Sequence, residues 1–85
     1  MRISYAPAFT KMLKRLEPRI RKFFFAQETI LRRNWRDSRL HLKKLKGRSI
    51  TFSFRITRNY RALFYFKTPE EIVLYAIGNR KDIYH

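Results

Sequence analysis

A run of basic side chains with no acidic residue among them has the clearest chemical meaning in this sequence. Between residues 38 and 69 there is no Asp or Glu, although the alternation of apolar residues there predicts a folded hairpin. Like charges held at fixed spacing on a sheet cost stability unless an anion lies between them. The run therefore predicts an anion-binding surface, and a phosphate backbone is the anion we expect. Its basic members are Arg39, Lys43, Lys44, Lys46, Arg48, Arg55, Arg58, Arg61 and Lys67.

Two of these arginines are expected to face each other across the hairpin. Apolar residues occupy every second position on both sides of residues 57–59, which is the period of a strand. The two apolar sets meet on one face only in a single register. This register leaves a three-residue loop in which Asn59 is expected to be left-handed. It also places Arg55 directly opposite Arg61 on the polar face. Its apolar pairs are Ile56 with Tyr60, Phe54 with Ala62, and Phe52 with Phe64.

A third strand is predicted after a turn at residues 67–70. Pairing Phe66 with Ile72 places Ile77 beside Arg61 on the polar face, and the strand then ends at Gly78. We expect helices to cover the apolar face. The opposite face is the candidate site, and it carries Arg55, Arg61, Leu63, Tyr65, Tyr75 and, at its edge, the C-terminal segment.

The first half of the chain has the elements that must support this sheet. Residues 2–5 alternate as in a short strand, and Pro7 and Pro18 each suit the first turn of a helix. Apolar residues then recur at helical spacing. The sequence predicts an α+β fold, a small antiparallel sheet of about four strands packed on two N-terminal helices. The helix stripes are Phe9, Met12, Leu13 and Leu16, followed by Ile20, Phe23, Phe24, Gln27, Ile30 and Leu31.

Length and composition limit the partners. Eighty-five residues are enough for one domain, 1–85, with one core. The chain has no cysteine, no long apolar run and no signal-peptide pattern, so we expect a cytoplasmic protein that does not enter a membrane. A formal charge of +15 predicts acidic partners, which include nucleic acid, an anionic surface or an acidic protein.

Four segments and a terminal tyrosine resemble the RelE/ParE superfamily of bacterial and archaeal toxins. They are LKG at 45–47, SFRIT at 53–57, YRALFY at 60–65, IVLYAIG at 72–78, and Tyr84. The resemblance covers nearly the whole chain in element order. It implies a small sheet packed on two helices, an acidic antitoxin as partner, and cleavage of mRNA in the ribosomal A site. A small-molecule ligand is not expected.

The resemblance also implies roles for individual residues. Arg61 matches the arginine that holds the scissile phosphate, and Arg55 matches a second basic position on the neighbouring strand. Arg80 stands where members have an arginine or histidine that acts on the leaving group. Tyr84 matches a tyrosine that stacks on or positions the nucleotide. In the segment where many members have His-Lys-Leu, Lys43 takes the histidine's place. The basic residues expected to bind RNA are Lys43, Lys44, Lys46, Arg48 and Arg58.

Cleavage of RNA at such a site needs a 2′-hydroxyl to lose a proton, a charged phosphorane to be stabilised and a 5′-oxygen to leave. Arginine suits the second task because it pairs with phosphate in a bidentate way. The sequence has no His, Asp or Glu cluster with metal-ligand spacing, so we expect no metal and no other cofactor. The general base is not identified, and a lysine among residues 43–46 is a hypothesis.

Several alternatives stay open at the level of sequence. A ParE-like inhibitor of DNA gyrase would use the same fold without nuclease chemistry. A catalytically inactive nucleic-acid-binding module would show diffuse, strongly salt-dependent affinity. The arginine pair is also compatible with a solvated polar face, Tyr84 with a cap on the core, and Lys43 to Lys46 with the protection of a sheet edge.

Overall fold

The structure is a computed structural model, and it describes residues 1–47 and 51–84. Within these ranges the chain forms a five-stranded sheet in the order β1-β5-β4-β3-β2. A 3-10 turn at Ser38–Leu40 follows the second helix. The helices and strands are β1 (Arg2–Tyr5), α1 (Pro7–Arg15), α2 (Pro18–Arg33), β2 (Lys43–Lys44), β3 (Thr51–Arg55), β4 (Tyr60–Thr68) and β5 (Glu71–Asn79).

The predicted α+β class is confirmed, with two differences in the sheet. The sheet is mixed, because β1 runs parallel to β5, with Ile3 paired to Ile72. It also has a fifth strand, because the two-residue β2 pairs with the edge of β3. Both side chains of β2 are exposed, so this strand lacks the apolar alternation from which a strand is predicted.

Both helices begin at a proline and pack an apolar stripe against the sheet. Pro7 and Pro18 occupy the first turn of α1 and α2, where a missing N–H group costs nothing. The stripe of α2 is narrower than predicted, because Phe23 is 46% exposed. Among the described residues, no helix is long and apolar enough to cross a bilayer. The buried residues of the two helices are Phe9, Leu13, Ile20, Phe24 and Leu31.

Aromatic rings fill the space between the helices and the sheet. The ring of Phe24 lies 5.4 Å from that of Phe9 and 6.5 Å from that of Phe54, measured between centroids. At the far end of α2, the Trp35 ring makes edge contacts with Phe52 and Phe66 at 5.6 and 5.0 Å. These contacts fix the sheet against the helices, with the core on one face of the sheet.

The predicted hairpin register is confirmed over β3 and β4, and beyond β3 the Ile56 N–H donates to the Tyr60 carbonyl at 2.9 Å. Arg55 pairs with Arg61 and Phe54 pairs with Ala62. The loop expectation for Asn59 is wrong, because the non-glycine residue with positive φ in the described chain is His41. The Thr57 hydroxyl accepts hydrogen bonds from the backbone N–H groups of residues 59 and 60, at 3.3 and 3.2 Å. The loop therefore closes without a left-handed residue.

The predicted position of Ile77 is wrong, because β5 contains a bulge. Leu63 pairs with Ala76 and the next residue of β4 pairs with Leu74, so Tyr75 is the extra residue. The bulge moves Ile77 opposite Ala62, on the core face, where it is 2% exposed. Gly78 takes the place beside Arg61.

Two neighbouring phenylalanines on α2 allow a matched test of this packing. Phe24 is fully buried, whereas Phe25 is 47% exposed. We expect Phe24→Ala to lower the free energy of unfolding by about 3–5 kcal/mol, because it leaves a cavity among aromatic rings. Phe25→Ala should cost less than about 1 kcal/mol, since it removes one edge contact with Phe24. Urea denaturation measures both, and equal losses would contradict the proposed core.

Candidate functional site

The candidate site lies on the sheet face that the helices leave uncovered. Arg55 and Arg61 alternate with core residues on their strands and pair directly, so their side chains share this face. Cβ atoms of such a pair lie about 4.5–5.5 Å apart. Two arginine side chains thus start from directly paired positions on neighbouring strands, and the positive charge of Arg55 acts on Arg61.

The guanidinium of Arg61 is fixed by the hairpin loop. Its Nη1 atom donates to the backbone carbonyls of Thr57 at 2.8 Å, Tyr60 at 3.1 Å and Arg58 at 3.2 Å. These carbonyl dipoles offset part of the charge and restrict the side chain to one direction. Arg61 is therefore positioned before any ligand arrives.

The pKa of Arg61 reflects the burial of its side chain and the charged groups around it. Partial burial is the main cause that lowers the pKa of Arg61 from its usual value, and the positive charges of Arg55 and Arg80 lower it further. The phenol of Tyr84 acts in the opposite direction. The structure thus brings together the four residues to which the sequence resemblance gave a role in cleavage.

One polar atom of the Arg55 side chain, Nε, is buried without a hydrogen bond in the described part of the chain. The backbone carbonyl of Arg55, in contrast, accepts from Nε2 of Gln27 at 2.8 Å, and the same amide donates to the carbonyl of Arg39 at 3.0 Å. Helix α2 thus holds the end of β3 in place, while the Arg55 side chain keeps a donor for an acceptor group.

The C-terminal segment folds back onto this face of the sheet. The Arg80 backbone N–H donates to the carbonyl of Asn59 at 2.8 Å, which joins the end of β5 to the hairpin loop. A turn follows, in which the Asn79 carbonyl accepts from the N–H groups of residues 82 and 83, at 2.9 and 3.1 Å. The Tyr84 hydroxyl and Ser53 Oγ, 3.0 Å apart, form a hydrogen bond across the sheet. The Tyr84 residue remains 45% exposed, so its ring is accessible to a base.

Gly78 leaves room beside the arginines. It pairs with Arg61 on the side opposite to Arg55. A Cβ atom built at Gly78 would meet no heavy atom within 4 Å. The face therefore has open space at Gly78, next to the position of Arg61 on the neighbouring strand.

The remaining basic residues are distributed over both faces. Lys43 pairs with Ser53 and so belongs to the face of the arginines, whereas Lys44 pairs with Phe52 and belongs to the other face. Lys46 and Arg58 are exposed in the loops. Arg48 lies outside the described residues.

Three residues of the site escaped the sequence analysis as functional positions. Ser53 is the hydrogen-bond partner of Tyr84 and is 1% exposed, and Gln27 supports β3. Gly78 provides space. A serine at a polar position of the hairpin and a glutamine within an apolar stripe are the signals that could have pointed to the first two.

The arrangement can bind a phosphate in a bidentate manner and stabilise additional negative charge on it. Within residues 1–47 and 51–84, no group of three His, Cys, Asp or Glu side chains is placed to hold a metal ion.

Comparison with known proteins adds structural likenesses. No family model matches the chain, and no curated protein matches it in sequence. The structure is similar to a chain of the RelB–RelE antitoxin–toxin complex of Methanococcus jannaschii, with a TM-score of 0.76 and 25% identity over 92% of this chain and 91% of that one. It is also similar to the YoeB/ParE toxin of Agrobacterium tumefaciens, with a TM-score of 0.78 and 14% identity over 94% and 99%.

A third similar structure is YafQ of E. coli, with a TM-score of 0.77 and 15% identity over 95% of this chain and 96% of YafQ. In each case the likeness spans nearly the full length of both chains. The resemblance to the RelE/ParE superfamily indicated by the sequence motifs is thus confirmed, and the chain has the fold of these toxins.

The like-charged pair predicts a gain in stability when one arginine is removed. We expect Arg55→Met to raise the free energy of unfolding at low salt by up to about 1 kcal/mol, because it removes repulsion and a buried donor that has no partner within residues 1–47 and 51–84. Millimolar phosphate at matched ionic strength should stabilise the wild type more than this variant. Arg33→Met, which removes an exposed charge, is the control, and an equal phosphate effect in both variants would contradict an anion site.

Gly78 predicts that a larger side chain closes the site without harming the fold. Valine suits a strand, and the glycine has no positive φ to preserve. We expect Gly78→Val to retain the wild-type stability within about 1 kcal/mol and to lose most of the phosphate-induced stabilisation. Thermal unfolding with and without phosphate measures both, and undiminished phosphate binding would place the anion elsewhere.

Proposed function

We propose that this chain is the toxin of a type II toxin–antitoxin system and that it acts as a ribosome-dependent mRNA endonuclease. The observation that carries the proposal is the cluster of Arg55, Arg61, Arg80 and Tyr84 on the sheet face opposite to the helices. The fold shared with the RelB–RelE complex and with YoeB/ParE and YafQ supports it. We propose further that residues 1–85 act as one domain in the cytoplasm.

In the proposed reaction, Arg61 and Arg55 bind the scissile phosphate. Their fixed charges stabilise the phosphorane as negative charge develops on its oxygens, and little reorganisation is needed because the hairpin loop already holds Arg61. The Arg55 Nε atom gains the hydrogen-bond acceptor that the described protein does not provide.

Arg80 and Tyr84 occupy the edge of the proposed site. Arg80 stabilises charge on the departing 5′-oxygen, and its guanidinium acts electrostatically because it is a poor proton donor near neutral pH. The exposed Tyr84 ring stacks on a base, while the hydrogen bond between its hydroxyl and Ser53 fixes the ring's direction. Lys43, on the same face, is the candidate for assisting removal of the 2′-hydroxyl proton. Lys44, Lys46, Arg48 and Arg58 contribute charge along the RNA path.

The proposed partners are mRNA in the ribosomal A site and an acidic antitoxin. A net charge of +15 on 85 residues suits both, because each presents dense negative charge. The structural relatives include a chain from a RelB–RelE antitoxin–toxin complex, which supports the second partner. An acidic protein that covers the arginine face would neutralise the repulsion there and block access of RNA.

The proposal predicts cuts within translated codons that depend on Arg61. In a translating extract, mapping of mRNA 5′ ends should show such cuts with wild type and a loss of at least about 100-fold with Arg61→Ala, because a charge that stabilises the transition state is removed. Arg33→Ala removes an equal charge from the exposed last turn of α2 and should cut like wild type. Circular dichroism verifies that all three proteins are folded.

Intact mRNA with folded wild-type protein would overturn the nuclease proposal. Equal partial losses in both variants would instead indicate diffuse electrostatic binding. Cuts in naked mRNA at the same rate as in translated mRNA would contradict the requirement for the ribosome. Inhibition of DNA gyrase by a wild type that leaves mRNA intact would assign the second function considered from the sequence.

A further inference from the structure

A groove lies beside the hairpin loop, on the side away from the arginine cluster. It has a volume of about 370 Å³ and opens between the first turns of α2 and the loop that joins β3 to β4. The residues that line it are Arg19, Ile20, Phe23, Ile56, Thr57, Arg58, Asn59 and Tyr60.

The lining combines an apolar floor with positive charge. Ile20 and Ile56 are buried at 4% and 5% exposure, whereas Phe23 is 46% exposed along the groove. The charged side chains of the lining are two exposed arginines, Arg19 on the helix and Arg58 on the loop, and no acidic residue lines the groove. The groove thus offers an apolar contact flanked by two cations.

We propose that this groove binds an acidic peptide segment that inserts one aliphatic or aromatic side chain against Phe23 and places carboxylates near Arg19 and Arg58. Charge complementarity favours an acidic occupant, because the chain carries +15 and the lining contains only positive charges. The isoleucine floor suits an aliphatic anchor, which a peptide carries and RNA lacks, and the two aromatic residues of the lining, Phe23 and Tyr60, add apolar contact to that anchor.

The inference rests on the proposed function in one respect, because the acidic antitoxin would supply the peptide. The groove shares a wall with the candidate site, because the loop that lines it also provides the carbonyls that hold Arg61. A peptide bound in the groove therefore contacts the reverse side of the loop that positions the phosphate-binding arginine.

A titration followed by amide NMR tests the groove directly. The probe is a short acidic peptide with one central leucine, and the matched peptide has glycine in place of leucine. We expect the leucine peptide to bind the wild type about tenfold more tightly, the gain that burying one such side chain can supply. The shifts should centre on the amides of Ile20, Phe23 and Ile56.

Two pairs of variants separate the groove from general charge. Phe23→Ser should remove the preference for leucine, whereas Phe25→Ser, on the same helix with nearly equal exposure and outside the groove, should keep it. Arg19→Gln should weaken binding several-fold, and Arg33→Gln should not. The amide spectrum of each variant verifies its fold.

Three results would overturn the inference. Equal affinity for the two peptides would mean that charge alone binds them, and equal effects of the two serine variants would place the leucine outside the groove. An oligonucleotide of the same net charge that binds with the same dependence on Phe23 would make the groove a nucleic-acid subsite. Failure of the proposed function is distinguishable, because peptide binding in the groove is measured without ribosomes and should persist in Arg61→Ala.

Discussion

The pairing register of β3 and β4 is the constraint on which both faces of the sheet depend. A shift of one residue would turn the phenylalanines toward solvent and the arginines into the core, so burial of Phe54 and Phe64 also fixes where Arg55 and Arg61 lie. Burial of the apolar face supplies free energy of folding, and the same register fixes the positions of the side chains on the polar face. Each aromatic residue buried there contributes about 1.5–3 kcal/mol, more than the repulsion between two partly solvated arginines costs.

That repulsion is moderated by contacts that also prepare the site. Three loop carbonyls accept hydrogen bonds from one guanidinium nitrogen of Arg61, and the Gln27 amide donates to the backbone carbonyl of Arg55. The bulge at Tyr75 places a glycine rather than an isoleucine beside the pair. These contacts keep the positive charges of the two arginines near each other. This arrangement lowers the stability of the protein without a ligand and favours the binding of an anion.

The sequence was sufficient wherever one face had to be apolar, and insufficient where local geometry decided. The alternation of apolar residues predicts the hairpin register, because a shift of one residue would expose the apolar side chains. The same alternation does not indicate the bulge in β5, which moves Ile77 to the core face. The predicted stripe of α2 included both Phe23 and Phe24, but only Phe24 is buried, because helical spacing alone does not fix the width of the face that contacts the sheet. The grouping of Arg80 and Tyr84 with the arginine pair came from family resemblance, because a turn after β5, not a periodic pattern, brings them there.

The hairpin loop connects the two surfaces of the molecule that have functional interest. Its carbonyls hold Arg61 on one side, and its Arg58 and Asn59 line the groove on the other. The backbone of Asn59 also accepts the Arg80 N–H, so the loop is tied to β5 as well. A segment held at both sheet strands and at the C-terminal turn has few independent motions. The same loop therefore supports the proposed anion site and forms a wall of the proposed groove, so both surfaces depend on its backbone geometry.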